Sequence, residues 1–209
     1  MSAKAAPATT TIEVPNFARG RATLTLVGDS ILVCHRWSDK AKQMMLDKHM
    51  KKAKGGKEAK DPEQDYRSGL YHYPDGGFGF PVVAFKDAAV SACRYVDGLP
   101  MTVARGAFHV NGRMGDDGRE LAKIEGSDPT KREDMVRVGM GTADIRYRPY
   151  FDPWSVKLDL VYNPQALSLE QIVNLFNIAG FGVGVGEYRP ERNGQWGRFH
   201  VEGVTEVQR

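Results

Sequence analysis

Cysteine is nearly absent. Cys34 and Cys93 are the only two in 209 residues, and neither has a CxxC partner, so the chain carries neither a disulfide framework nor a zinc-ligand pattern. Long apolar runs are missing too. None approaches the roughly 20 residues of a membrane helix, and the opening MSAKAAPATTT lacks the apolar core of a secretory signal. A soluble cytoplasmic protein with reduced thiols and no membrane partner is the expectation. Histidine is scarce and scattered: His35, His49, His72, His109 and His200 form no pair at metal-ligand spacing. Cys34 and His35 are adjacent rather than opposed, poor geometry for a nucleophile and its base. Asp116-Asp117-Gly118 reads as a turn, since no further carboxylates follow at EF-hand spacing. The sequence therefore points to no catalytic residue, no metal site and no cofactor. Strong charge of one sign is also lacking. The net charge of +3 and pI near 8.8 permit an anionic partner without requiring one.

The charge that is present is unevenly placed. From Arg36 to Lys60 nine Lys or Arg residues meet only Asp39, Asp47 and Glu58. That local excess would attract a polyanion in a salt-sensitive way. Its densest part holds Lys48, Lys51, Lys52 and Lys54. Within it, Ser38 to Lys54 reads as an amphipathic basic helix with Met44, Met45, Leu46 and Met50 among its lysines, a surface fit for nucleic acid or for a neighbouring copy. Gly55 to Asp65 has no apolar periodicity and reads as a loop.

The remaining pattern is that of a globular α+β chain, 41% hydrophobic and 10% aromatic. Residues 1–11 read as a flexible tail and 12–209 as one elaborated domain, with insertions at about 38–65 and 112–134. A strand is expected near Thr23–Val27, and a helix over Phe85–Val96 entered from Pro81. Ala104–Asn111 reads as a strand, and polar Gly112 to Asp134 as a projecting loop or hairpin. Val136–Tyr147 and Ser155–Tyr162 read as strands paired around the turn Arg148 to Trp154. Ser168 opens the clearest buried helix, which runs to Ala179, and Arg198–Val204 closes the chain as a strand.

The most informative stretch is AGFGVGVGEYRPERNGQWGRF, residues 179–199. A dinucleotide-binding or P-loop motif precedes a helix, whereas these glycines follow one. Gly180, Gly182, Gly184 and Gly186 therefore read as a helix cap and an extended segment where backbone can approach another surface. Arg189, Arg192 and Arg198 offer bidentate donors to phosphate. Glu187 and Glu191 compete as partners for those guanidinium groups. Tyr188 and Trp196 present flat faces that either stack on bases or pack in the core.

Without its insertions the element order is strand, helix, strand, strand, helix, strand, the split βαβ or ferredoxin-like (RRM-like) arrangement. No ribonucleoprotein-type aromatic motif occupies the expected strands, which disfavours a generic RNA-recognition motif. The glycine-rich loop at Gly180 to Arg198, the segment GFPVVAFKDAAVSACR at Gly79 to Arg94 and the thumb-like tract at Gly112 to Asp134 together resemble the RAMP superfamily. Within it, the likeness is to the repeated backbone subunit of CRISPR effector complexes, and the compact chain also looks like a phage or mobile-element relative. The resemblance implies a non-catalytic subunit that assembles in repeated copies along single-stranded nucleic acid, RNA favoured over DNA. The residues it points to are Lys48, Lys51, Lys52, Lys54, Gly182, Gly184, Gly186, Arg189, Arg192, Trp196 and Arg198. Two other readings remain open: a structural or interaction protein that self-assembles or binds a host complex without nucleic acid, and a RAMP-type endoribonuclease.

Overall fold

The computed structural model describes residues 16–37, 39–51, 61–138 and 141–207. The expected tail at residues 1–11, and Lys52 and Lys54, lie outside them. In chain order the elements are β1 (Gly20–Gly28), β2 (Leu32–Val33), α1 (Asp39–His49), α2 (Pro62–Ser68), β3 (Gly79–Pro81), α3 (Val82–Ala92) and α4 (Met101–Ala107). They continue with β4 (Phe108–Asn111), β5 (Arg113–Met114), β6 (Glu120–Gly126), β7 (Thr130–Val138), β8 (Thr142–Phe151), β9 (Trp154–Tyr162), α5 (Leu169–Gly182) and β10 (Phe199–Glu206).

Alternation builds the central sheet. In β1 the side chains of Ala22, Leu24 and Leu26 are buried while Thr23 and Thr25 face outward. Along β9, Trp154, Val156, Leu158, Leu160 and Tyr162 are all buried, as a period of two requires of a sheet covered on one face. The strand order is β10-β1-β9-β6-β3, with β4 also pairing β9 and β5 pairing β6, and every pairing is antiparallel. A second antiparallel sheet runs β2-β8-β7.

Helices α3 and α5 pack together against the central sheet. Small residues on α3, Ala88, Ala89 and Ala92, leave room for Ile172, Leu175 and Phe176 of α5. Ser168 caps α5 reciprocally: its Oγ accepts from Gln171 N at 3.2 Å while Gln171 Oε1 accepts from Ser168 N at 2.9 Å. Near the other end, a Cβ on Gly180 would fall on the carbonyl oxygen of Phe199. Only glycine lets α5 lie that close to β10. Phe199 in turn meets Phe85 edge-on, with ring centroids 5.8 Å apart.

Six expectations are corrected. Ala104 lies in α4, where Ala104 and Ala107 are buried one turn apart, and the strand starts at Phe108. The tract Gly112 to Asp134, read as a projecting loop or hairpin, does hold a short hairpin of β5 and β6, but it does not simply project: Leu121, Ala122 and Ile124 of β6 enter the central sheet, where Ile124 pairs with Val156 and Ala122 with Phe80. A short apolar pattern among charges was enough to specify a strand. Val136–Tyr147 is divided between β7 and β8, with Gly141 at φ +110° before β8. Those two strands pair with each other, and β8 with β2, whereas β9 pairs with β1, β4 and β6. Residues 62–65, read as loop, begin α2, which Asp61 caps by accepting from Glu63 N and Gln64 N. Finally, α1 ends at His49 rather than Lys54.

Candidate nucleic-acid interface

The glycine-rich segment closes on itself instead of running extended. The helix continues through Gly182. Val183 N and Gly184 N both donate to Ala179 O, at 2.9 and 2.8 Å. Gly184 and Gly186 then adopt φ of +69° and +77°, which turns the chain back. Val185 N donates to Gly197 O and Trp196 N to Tyr188 O, at 2.9 and 3.1 Å, while a 3-10 turn at Pro190–Arg192 forms the tip. The close approach that glycine permits is spent within the chain: a Cβ on Gly197 would meet the Val185 carbonyl. Glu187 N and Gly197 N tie the loop to Val33 O and Ile31 O beside β2, at 3.1 and 2.8 Å.

The arginines divide into engaged and available. Arg189 is half-buried; its Nε and Nη2 donate to Glu191 Oε2 at 3.2 and 2.9 Å, and its Nη1 to Gly186 O at 3.2 Å. The other oxygen of Glu191 accepts from Arg94 Nη2 at 3.2 Å. Arg198 Nε donates to Gln195 O. Arg192 is exposed on the tip. Trp196 and Tyr188 are half-buried and meet edge-on at 4.8 Å. Arg132 of β7 lies over the Trp196 ring at 4.2 Å and Arg148 of β8 over Tyr188 at 5.5 Å. Both rings are thus cation-braced pieces of the loop.

Behind them is a cluster that residue spacing did not reveal. Arg148, buried, sits 3.9 Å from Asp134 and 3.8 Å from Glu187. Glu187 also pairs with His35 Nδ1 at 3.2 Å. The His35 hydrogen bond first, and then the positive charge of Arg148, hold the Glu187 carboxyl below the usual glutamate range against the opposing effect of burial. A cleft of about 330 Å³ opens here, walled by His35, Tyr71, Asp87, Arg119, Glu187 and Arg189 together with Gly184 and Gly186. Arg119 donates to the Tyr71 hydroxyl at 3.1 Å.

Of the residues singled out by sequence, Gly184, Gly186 and Arg189 line this cleft. Gly182, Arg192, Trp196 and Arg198 belong to the same loop or its entry but not to the cleft wall, and Lys48 and Lys51 sit at the end of α1, outside it. The cleft's other residues are up to about 150 positions apart, so only folding brings them together. The β-sheet signal just before Cys34-His35 was the one available hint. Among the described residues no three His, Cys, Asp or Glu side chains group to hold a metal, and no helix is long and apolar enough to cross a membrane.

The fold is therefore a mixed α and β class built on antiparallel sheets, with an arginine-bearing loop closing its last helix. No family model matches the sequence, and no curated protein matches it. Solved structures do match the fold. A chain of the type III-B Cmr-beta complex, solved by cryo-EM bound to cognate target RNA, superposes with a TM-score of 0.53 at 8% identity over 91% of this chain. The present chain spans 61% of that one. Cmr6 from Pyrococcus furiosus aligns over 89% of this chain and all of its own length at 10% identity and a TM-score of 0.43. The chain is thus similar in fold to a chain of the type III-B Cmr-beta complex, in keeping with the resemblance drawn from Gly180 to Arg198, Gly79 to Arg94 and Gly112 to Asp134.

Proposed function

We propose that the chain is a RAMP-like, non-catalytic nucleic-acid-binding subunit that assembles in repeated copies along a single strand, RNA in preference to DNA, through backbone contacts. The observation that carries this reading is the fold likeness, over nearly the whole chain, to a subunit of a complex solved with RNA bound. The strand order β10-β1-β9 followed by β4 and β6, with α3 and α5 on one face, supports describing the core as ferredoxin-like. The phosphate contacts are assigned to Arg189, Arg192 and Arg198, with Gly182, Gly184 and Gly186 shaping the loop, Trp196 bracing it, and Lys48, Lys51, Lys52 and Lys54 adding a local positive field. Contacts of that kind carry no base identity.

The test is to purify the protein natively, compare its absorbance at nucleic-acid and protein wavelengths, and digest the particle with RNase and with DNase. Retained RNA lost only to RNase is the expected result. Protein that carries no nucleic acid and binds no single-stranded oligonucleotide at low salt selects the interaction-protein reading instead.

One observation favours a second reading. His35 is held by Glu187 in the cleft wall beside Arg119 and Arg189, an arrangement suited to general acid-base work on a phosphodiester. Cleavage of single-stranded RNA that disappears in His35→Ala while binding persists would establish an endoribonuclease.

A further inference from the structure

At one corner of the molecule α3, α4 and β4 meet, and each contributes a basic side chain: Lys86, Arg105 and His109. Lys86 Nζ lies 3.1 Å from His109 Nδ1. An ammonium can only donate, so Nδ1 accepts and the ring proton sits on Nε2, which remains a donor. Burial lowers the Lys86 pKa, and the charge of Arg105 lowers it further, against the raising effect of Asp87. Arg105 is therefore close enough to act on the same ammonium. Among the described residues neither Lys86 nor Arg105 makes an ion pair with a carboxylate. Asp87, whose charge reaches Lys86, lines the glycine-loop cleft instead. The neighbouring β5 shows the ordinary alternative, since Arg113 there is held by Asp75 at 2.6 Å. Like charges gathered without a paired acid repel, and a bound anion relieves that repulsion.

We propose that this corner is a phosphate site, in which Lys86, Arg105 and His109 Nε2 donate to the oxygens of one phosphate group of the bound strand. A phosphate carries several acceptor oxygens around one centre and suits donors that come from three elements, whereas a carboxylate offers two in one plane. The inference rests on the single-strand reading above and adds to it a contact outside the glycine-rich loop. Val83, Ala84 and Asp87 of α3 line the loop cleft, while Lys86 of the same helix turns to β4. A strand that crosses the exposed ridge of α3 therefore reaches both. The phosphate is either an internal phosphodiester or a terminal monoester, two sources of one chemistry that the test separates.

The test measures binding of a single-stranded RNA with hydroxyl ends, and of the same strand with a 5′-phosphate, by fluorescence anisotropy over a range of salt. The double variant Lys86→Gln, Arg105→Gln should lose about tenfold in affinity, with a salt slope lower by about 0.7 for the phosphate no longer neutralised. Loss on both strands assigns an internal phosphodiester, and loss confined to the phosphorylated strand assigns its end. Lys86→Arg, Arg105→Lys keeps both charges and should retain most of the affinity. Arg67→Gln, Lys157→Gln removes the same charge from cations already paired with Glu63 and Glu125 and should lose less. An equal loss in that control, or unchanged affinity and slope in Lys86→Gln, Arg105→Gln, overturns the proposal. In parallel, inorganic phosphate is titrated into wild type at constant ionic strength while the His109 imidazole signal, assigned with His109→Gln, is followed by NMR. A shift is expected. That shift in a protein that binds no RNA overturns the single-strand reading and leaves the phosphate site standing, whereas no shift and no RNA binding overturns both.

Discussion

Glu191 engages two guanidinium groups at once, Arg189 through one oxygen and Arg94 through the other. Its carboxylate occupies donors that a phosphate would use. Glu191→Gln removes that competing charge, and single-stranded RNA affinity at low salt should rise several-fold; unchanged affinity would remove Arg189 from the interface. Arg192 is exposed at the tip, so Arg192→Glu should weaken binding by roughly tenfold and lower the salt slope with little change in melting temperature. A second consequence concerns Glu187. Because its carboxyl titrates below the ordinary value of 4.5 in the folded protein, its stabilising contribution is present above that value and is lost as pH falls through the lower, folded value. The melting-temperature gap between wild type and Glu187→Gln should therefore be widest near neutrality and narrow as the pH falls below 4.5. A gap independent of pH would mean that the charge on Glu187 contributes nothing.

At the scale of elements, α5 carries the loop, and its two ends are set by different physics. Ser168→Ala deletes the side-chain half of a capping box and should cost about 0.5–2 kcal/mol, readable as a lowered chemical-denaturation midpoint with an unchanged slope. Gly180→Ala places a methyl against the Phe199 backbone, which cannot yield as a flexible side chain would, so a loss of at least ~1–3 kcal/mol is expected. If Gly180→Ala is as stable as wild type, α5 and β10 do not approach as closely as described. These elements were legible in sequence for local reasons: Ser168 with Glu170 announces a helix start, Leu24 and Leu26 alternate with threonines, and Phe85, Ala88 and Ala92 repeat at helical spacing. The misread elements failed for reasons equally physical. Only three apolar positions, Leu121, Ala122 and Ile124, identify β6 among charged neighbours, and strand pairing is non-local, so nothing in the sequence assigned β8 to β2 and β7. The loop was placed correctly after its helix, but the turn-back at Gly184 and Gly186 depends on partners at Ile31 and Val33 that local spacing does not encode. His35, Arg148 and Glu187 were missed for the same reason.

At the scale of the molecule, the arrangement separates shape from charge. The central sheet with α3 and α5 supplies a rigid body, the self-closed loop presents arginines on it, and the second sheet braces the loop through Arg132 and Arg148. On the function proposed above, a single-strand binder with weak base identity gains length along its ligand by adding copies rather than by adding contacts per copy. That makes assembly measurable separately from affinity. In a series of single-stranded RNAs of increasing length, the mass of the complex should rise in steps of one 23.2 kDa chain. For each step, log affinity should fall with log salt by about 0.7 per phosphate neutralised. The two readouts fail independently. A mass fixed at one chain per strand at every length would retain nucleic-acid binding but remove repeated assembly, whereas length-dependent mass with no salt dependence would mean that the copies join through protein contacts and that the arginines of the loop serve the fold rather than the strand.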